Sequence, residues 1–132
     1  MFVGSTFGAV GFPHFASYSA SKFALRGLSE ALRRELSDAG VRVSYVSPRA
    51  TDTAMNSAAV RELQALTGAR VDDPLKVDKA IVAALEAGSR ERQLGWPERL
   101  FVRLNALMPR LVDKALVQNS RVAASCIERS RA

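Results

Sequence analysis

The chain has one cysteine, one tryptophan, one histidine and two tyrosines in 132 residues. With a single thiol, Cys126, no internal disulfide can form, which fits a reducing compartment. A small hydrophobe in a polar stretch, that cysteine carries no catalytic signature. No run of about 18 apolar residues is present to span a bilayer, and the N-terminus lacks the basic flank and apolar core of a secretory signal, so the expected address is the cytoplasm. His14 has no second ligand-type residue nearby, so neither a metal site nor a histidine catalyst is expected. Nucleic-acid binding is not expected either, because basic residues are not interleaved with aromatics and no reader motif occurs. Internal repeats and low-complexity linkers are also absent.

What is present is a 48% hydrophobic sequence with mean hydropathy near zero, the composition of a globular domain able to bury a core. The formal charge is +6 with pI ≈ 10.2. Its location matters more than its sum. Nine basic residues against four acids follow Ser89, so nearly all of the excess lies in the last third.

Met1-Phe2-Val3 reads as the tail of a buried strand whose beginning is not in the chain. Gly4, Gly8 and Gly11 follow at spacings that suggest a phosphate-binding loop, but such a loop needs a full strand before it and a helix directly after it. Phe12-Pro13-His14 intervenes, and Pro13 holds Phe12 extended. A loop leaving a strand end is the better reading. Residues 17–39 have helical periodicity, with Leu25, Leu28, Leu32 and Leu36 on one stripe, a Glu30/Arg34 pair, and Gly40 as the stop. Val41 to Val46 is β-branched and aromatic, so strand, helix and strand follow one another as a βαβ crossover. The fold class is therefore α/β with a parallel sheet. Ligands in such sheets bind outside the C-terminal strand ends, where Ser5 and the Pro48 to Thr53 stretch fall.

Further on, residues 56–67 read as a short helix closed by Gly68. Asp73 with Pro74 caps another that runs to Gly88. Residues 92–96 suggest a short last strand, and Pro97 opens a helix to 118 interrupted by Pro109. Residues 119–132 are polar and basic and are expected to be loosely ordered.

Tyr18 and Lys22 lie one helical turn apart, so the phenol and the ammonium share a face. Unit charges about 4 Å apart interact by roughly 4 kcal/mol at an effective dielectric of 20, which could lower a phenol pKa of about 10 by up to three units. That brings a tyrosine into the working range of an acid/base catalyst.

Taken together, Gly4-Ser5-Thr6, Gly11-Phe12-Pro13, Tyr18-Ser19-Ala20-Ser21-Lys22 and Pro48 through Thr53 after the next strand resemble the short-chain dehydrogenase/reductase superfamily. The serine stands thirteen positions before the tyrosine, and the joint spacing is far more specific than any one motif. The resemblance covers nearly the whole chain but only the second half of a family domain. It implies a partial doubly wound, Rossmann-like sheet and hydride transfer between NAD or NADP and an alcohol/carbonyl carbon. Tyr18 would be the acid/base. Lys22 would depress its pKa and bind the nicotinamide ribose, and Ser5 would polarise the reacting oxygen. Thr53 would bind the carboxamide, with Pro48 lining the pocket. Arg49 stands where the family usually has glycine, where it could crowd the nicotinamide or reach the cofactor's phosphates.

The family's glycine-rich phosphate turn, adenine-side acid, Asn-Asn-Ala-Gly segment and active-site asparagine have no counterpart here. The expectation is thus a chain that begins inside a longer dehydrogenase and is inactive alone, spanning residues 1–118 with a basic tail at 119–132. Residues 57–68 are expected to form a substrate lid and 97–118 a C-terminal helix. A hydrophobic alcohol or ketone suits these segments. The 17–39 helix resembles the family's dimerisation helix, which makes a homo-oligomer or a non-catalytic oligomerisation module the rival reading. Contact of the basic 97–118 segment with an anionic membrane ranks below its use as a cover for the sheet or pocket with a solvated basic face.

Overall fold

The computed structural model describes residues 1–129. Three parallel strands, β1 (Phe2–Val3), β2 (Tyr45–Ser47) and β3 (Glu91–Gln93), form one sheet in the order β1-β2-β3. Phe2 pairs with Tyr45 and Val3 with Val46, while Tyr45, Val46 and Ser47 pair with Glu91, Arg92 and Gln93. Parallel neighbours need crossovers. The first is α1 (Ala16–Glu35), and the second contains α2 (Ala58–Leu66) and α3 (Pro74–Glu86). After β3 come α4 (Trp96–Leu107) and α5 (Pro109–Arg129). This is the expected α/β architecture, a partial doubly wound sheet.

Local signals account for most boundaries. Ser57 accepts from the Val60 N–H at 3.3 Å, and Asp73 accepts from the Leu75 N–H at 2.8 Å with Pro74 at the first helical position. Gly40, Gly68 and Gly88 all have left-handed φ, although α1 itself ends five residues before Gly40. The second strand is shorter than expected. β1 is only two residues long, so 41–44 have almost no ladder to join; the Ser44 carbonyl is taken up by the Phe2 N–H at 2.8 Å and the Val43 carbonyl by a side chain of α1.

The leucine stripe of α1 lies along the margin of its buried side: Leu25, Leu32 and Leu36 are half-buried, Leu28 is exposed, and Ser19 and Ser29 are the buried residues of the helix. Arg33, on the same inward side, donates to the carbonyls of Val43 at 3.3 Å and Arg90 at 2.9 Å, and Arg26 reaches Glu91 at 3.1 Å. Long cationic stems cover the sheet edge while their heads satisfy it. Turned outward are Ala20, Ala24, Gly27 and Leu28, a smooth apolar surface. The Glu30/Arg34 contact forms as expected, at 3.6 Å.

The interruption expected at Pro109 divides the 97–118 segment into α4 and α5, because Met108 leaves helical geometry and Pro109 starts α5. Residues 119–129, expected to be loosely ordered, continue α5. Ala123 and Cys126 are buried there with Leu63 of α2, and Phe12, Phe15 and Val122 pack around them. Small side chains let two helices approach closely, a periodicity hidden by the polar residues between them. The last three positions of the expected tail lie outside the described residues. A second cluster joins Val10, Val112 and Leu116 to Phe101, Val102 and Leu104.

Glycine is required where the chain passes the Tyr45 side chain and the backbone of α1. A Cβ on Gly4 would overlap the Tyr45 ring, and one on Gly8 would stand 2.7 Å from the Tyr45 hydroxyl and 2.8 Å from the Lys22 carbonyl oxygen. Gly11 borders open space. Gly8→Ala is therefore expected to cost about 1–3 kcal/mol by overpacking, and Gly11→Ala to leave stability unchanged within about 0.5 kcal/mol. Urea unfolding of the two variants checks the contrast.

Candidate active site

The three C-terminal strand ends are tied together by their loops. Past β1, Ser5 caps a single 3-10 turn at Thr6–Gly8, its hydroxyl accepting from the Phe7 N–H at 3.2 Å. Past β2, the Pro48 carbonyl accepts from the Thr6 N–H at 3.0 Å. At the end of β3, the Gln93 amide donates to the Thr6 hydroxyl at 2.8 Å. Thr6 thus joins all three strand ends.

Tyr18 and Lys22 come in over this platform on α1, which rests on the Thr6–Gly8 turn because Gly8 admits the Lys22 backbone. Tyr18 is 40% exposed and meets the Phe7 ring edge-on at 6.1 Å. The Lys22 ammonium lies 5.6 Å from the Tyr18 ring centroid and donates to the Val3 carbonyl at 3.4 Å. It contacts the face of the phenol, a cation–π arrangement, and no hydrogen bond joins it to the Tyr18 hydroxyl among the described residues. Ser5, Tyr18 and Lys22 share one end of the sheet, linked through Phe7 and Val3.

Pro48, Arg49 and Thr53 lie in the neighbouring loop. The Thr53 carbonyl accepts from the Arg61 guanidinium at 3.2 Å, and Arg61 also pairs with Asp52 at 2.6 Å, fastening α2 to this loop. Neither alternative offered for Arg49 describes its position. Its guanidinium grips Asp72 with two bonds, at 2.8 and 2.6 Å, and reaches Glu98 at 3.3 Å. A fork on a carboxylate is the strong form of this contact. It holds the Asp72 carboxyl below the usual carboxylate range and raises the guanidinium above its own. Ala50 and Asp72 add backbone bonds, the Asp72 N–H donating to the Ala50 carbonyl at 2.8 Å and the Asp52 N–H to the Asp72 carbonyl at 3.0 Å.

The 57–68 segment, expected to be a lid, contains α2, which lies against α5. Arg129 pairs with Glu62 at 2.7 Å. His14 joins the loop before α1 to α5, its Nε2 lying 3.1 Å from the Ser120 carbonyl.

Sequence reasoning missed Tyr45. Its ring is 1% exposed, and its hydroxyl and that of Ser47 are both buried without a hydrogen-bond partner among the described residues. Burial pushes the Tyr45 phenol up, with the Ser5 backbone and the Ser47 hydroxyl tempering the rise. Glycines four apart facing a strand tyrosine were the available signal. Also missed was Asp72, which could have been sought as the partner of a cation placed where glycine is usual.

The glycines also decide what fits here. Positions 4 and 8 are filled by Tyr45 and by α1, so they form no anion cradle, in agreement with the loop reading of this stretch. The residues present suit the nicotinamide-ribose half of a dinucleotide: a phenol, an ammonium and loop backbone at the strand ends. Among the described residues nothing suits its pyrophosphate.

A parallel sheet crossed by a helix that brings Tyr-x-x-x-Lys over its C-terminal end defines a class, the Rossmann-like dehydrogenases. The family model for "short chain dehydrogenase" matches residues 1–64. A 3-ketodihydrosphingosine reductase of Dictyostelium discoideum is 39% identical over 105 residues, covering 76% of this chain and 31% of the relative. An uncharacterised oxidoreductase of Bacillus subtilis, YxnA, is 34% identical over 119 residues, 86% of this chain and 33% of the relative. Among solved structures, a short-chain dehydrogenase from Burkholderia cenocepacia in complex with NADP superposes with a TM-score of 0.70 at 29% identity, covering 86% of this chain and 45% of that one. The chain belongs to the short-chain dehydrogenase/reductase superfamily. It spans about a third of the length of the curated relatives it matches.

The Arg49–Asp72 fork makes stability depend on acid. Because the Asp72 carboxyl is held low in the fold, its contribution is fully present above the unfolded value of about 4 and is lost as pH falls through the folded value. Asp72→Asn is expected to cost about 1–2 kcal/mol at neutral pH. The urea midpoints of variant and wild type should converge in strong acid.

Proposed function

We propose that this chain carries the catalytic and nicotinamide-facing part of an NAD(P)-dependent oxidoreductase that interconverts a ketone and a secondary alcohol. The observation that carries the reading is the placement of Tyr18 and Lys22 over the joined strand ends, with the Ser5 hydroxyl on the same platform. A bound nicotinamide would supply or accept the hydride. Tyr18 donates a proton to the carbonyl oxygen, or takes one from the alcohol. The Ser5 oxygen already accepts from the Phe7 N–H at 3.2 Å, so its own proton is free to point at the substrate oxygen and steady developing negative charge. Lys22 sets a positive charge against the phenol ring and can turn to the nicotinamide ribose. Thr53 and the backbone at Pro48 bound the carboxamide side, and Arg49 acts there through Asp72 and Glu98 as a brace.

The substrate class is a hydrophobic ketone. Support comes from the relative named as a 3-ketodihydrosphingosine reductase, and from the apolar Val60 and Leu63 of the proposed lid. NADP is favoured by the cofactor named for the solved relative. Among the described residues no pyrophosphate cradle is present, so the chain alone binds dinucleotide weakly and turns over little.

The test is NADPH oxidation with a long-chain 3-oxo substrate, comparing this chain with the same chain extended by the reading frame upstream of Met1. Activity is expected in the extended form only. There, Tyr18→Phe should lower kcat by about 10²- to 10⁴-fold. Turnover undiminished by that substitution would remove Tyr18 from the mechanism.

A second reading rests on the outer face of α1, where Ala20, Ala24, Gly27 and Leu28 are exposed. Small residues let helices approach closely, and this surface suits pairing with a second copy, whether or not the chain is catalytic. Leu28→Arg is expected to convert an oligomer to monomer in analytical ultracentrifugation while leaving the far-ultraviolet circular dichroism unchanged.

A further inference from the structure

α4 is apolar on two opposite sides. Its inward residues Phe101, Val102 and Leu104 pack against the Val10, Val112 and Leu116 cluster. Trp96, Leu100 and Leu107 recur on the other side at helical spacing. They are 71%, 55% and 80% exposed. Arg103 falls between them and Arg99 beside them, both exposed. The one acid of α4, Glu98, is turned away to Arg49. Past the break at Met108, the exposed Leu111 continues the apolar edge. Arg99 donates to the Gln93 carbonyl at 3.2 Å, and Arg103 has no ion pair among the described residues.

A helix that merely covers the sheet would bury one apolar side and wet the other. Here the wet side holds a tryptophan and two leucines beside cations, with no carboxylate of the helix to neutralise them. Trp with Leu on one level and Arg flanking them is how a helix lies in the plane of a lipid surface, the rings and aliphatic chains entering the headgroup boundary and the guanidinium groups meeting phosphate.

We propose that the outer face of α4 is a docking surface for an anionic lipid bilayer, with Trp96, Leu100 and Leu107 as the inserted residues and Arg99 and Arg103 as the phosphate contacts. The occupant is chosen by charge complementarity: an uncharged protein surface would leave both arginines unmatched.

The chain has a single tryptophan, so its fluorescence reports this face alone. Purified protein is mixed at low salt with vesicles of phosphatidylcholine, or of phosphatidylcholine with phosphatidylglycerol. Co-sedimentation and a blue shift of the Trp96 emission are expected with the anionic vesicles and not with the neutral ones. Raising salt to 1 M, where the Debye length is about 3 Å, should weaken binding. Arg99→Gln with Arg103→Gln should weaken partitioning about 25-fold, roughly fivefold per cation. Leu100→Ser with Leu107→Ser should remove the shift while circular dichroism stays unchanged. Three results would each overturn the proposal: no binding by folded protein at low salt, binding without a tryptophan shift, or an equal shift on neutral vesicles. A shift that grows with protein concentration in the absence of vesicles would also overturn it, assigning the face to a second copy.

Discussion

The structure depends on how closely α1 approaches the turn after β1. Gly8 admits both the Tyr45 hydroxyl and the Lys22 carbonyl to within the space a Cβ would take, and Gly4 lets the Tyr45 ring lie flat under the same turn. Everything catalytic in the reading offered above follows from that approach, because it sets the height of α1, and so of Tyr18 and Lys22, over the strand ends. Burial of the Tyr45 hydroxyl is the thermodynamic cost of the arrangement.

Around that contact, polar bonds tie the loops at the strand ends to one another. Thr6 links three strands, and Arg49 links the loop past β2 to the segment before α3 and to the first turn of α4. Backbone at a ligand site cannot be buried under apolar side chains without closing the site. Fork-shaped contacts give rigidity while leaving room. The glycine usual at position 49 would allow close approach of a cofactor but no such brace. In this chain a guanidinium directed sideways supplies that brace.

The C-terminal helices show two kinds of apolar surface. α5 buries Ala123 and Cys126 against α2 and so ties the proposed lid to the end of the chain. α4 divides its apolar residues between the core and the outside. A composition count merges the two, which is why residues 97–118 read from sequence as one basic amphipathic segment, interrupted at Pro109, with a loose tail after it.

The sequence by itself determined the order of elements, the parallel sheet and the capped start of α3, and it set Tyr18 and Lys22 one helical turn apart. These rest on local signals, a cap, a glycine stop or a one-turn spacing, that act within a few residues. Tertiary structure alone decided which side of α1 meets the sheet, where Arg49 points, that Tyr45 lies beneath the site, and that residues 119–129 are helix. Each depends on partners far away in the chain: Arg33 on Arg90, Arg49 on Asp72 and Glu98, Tyr45 on Gly4, Cys126 on Leu63. Periodicity shows that a helix has two faces, but only what lies beside it selects the one that is buried.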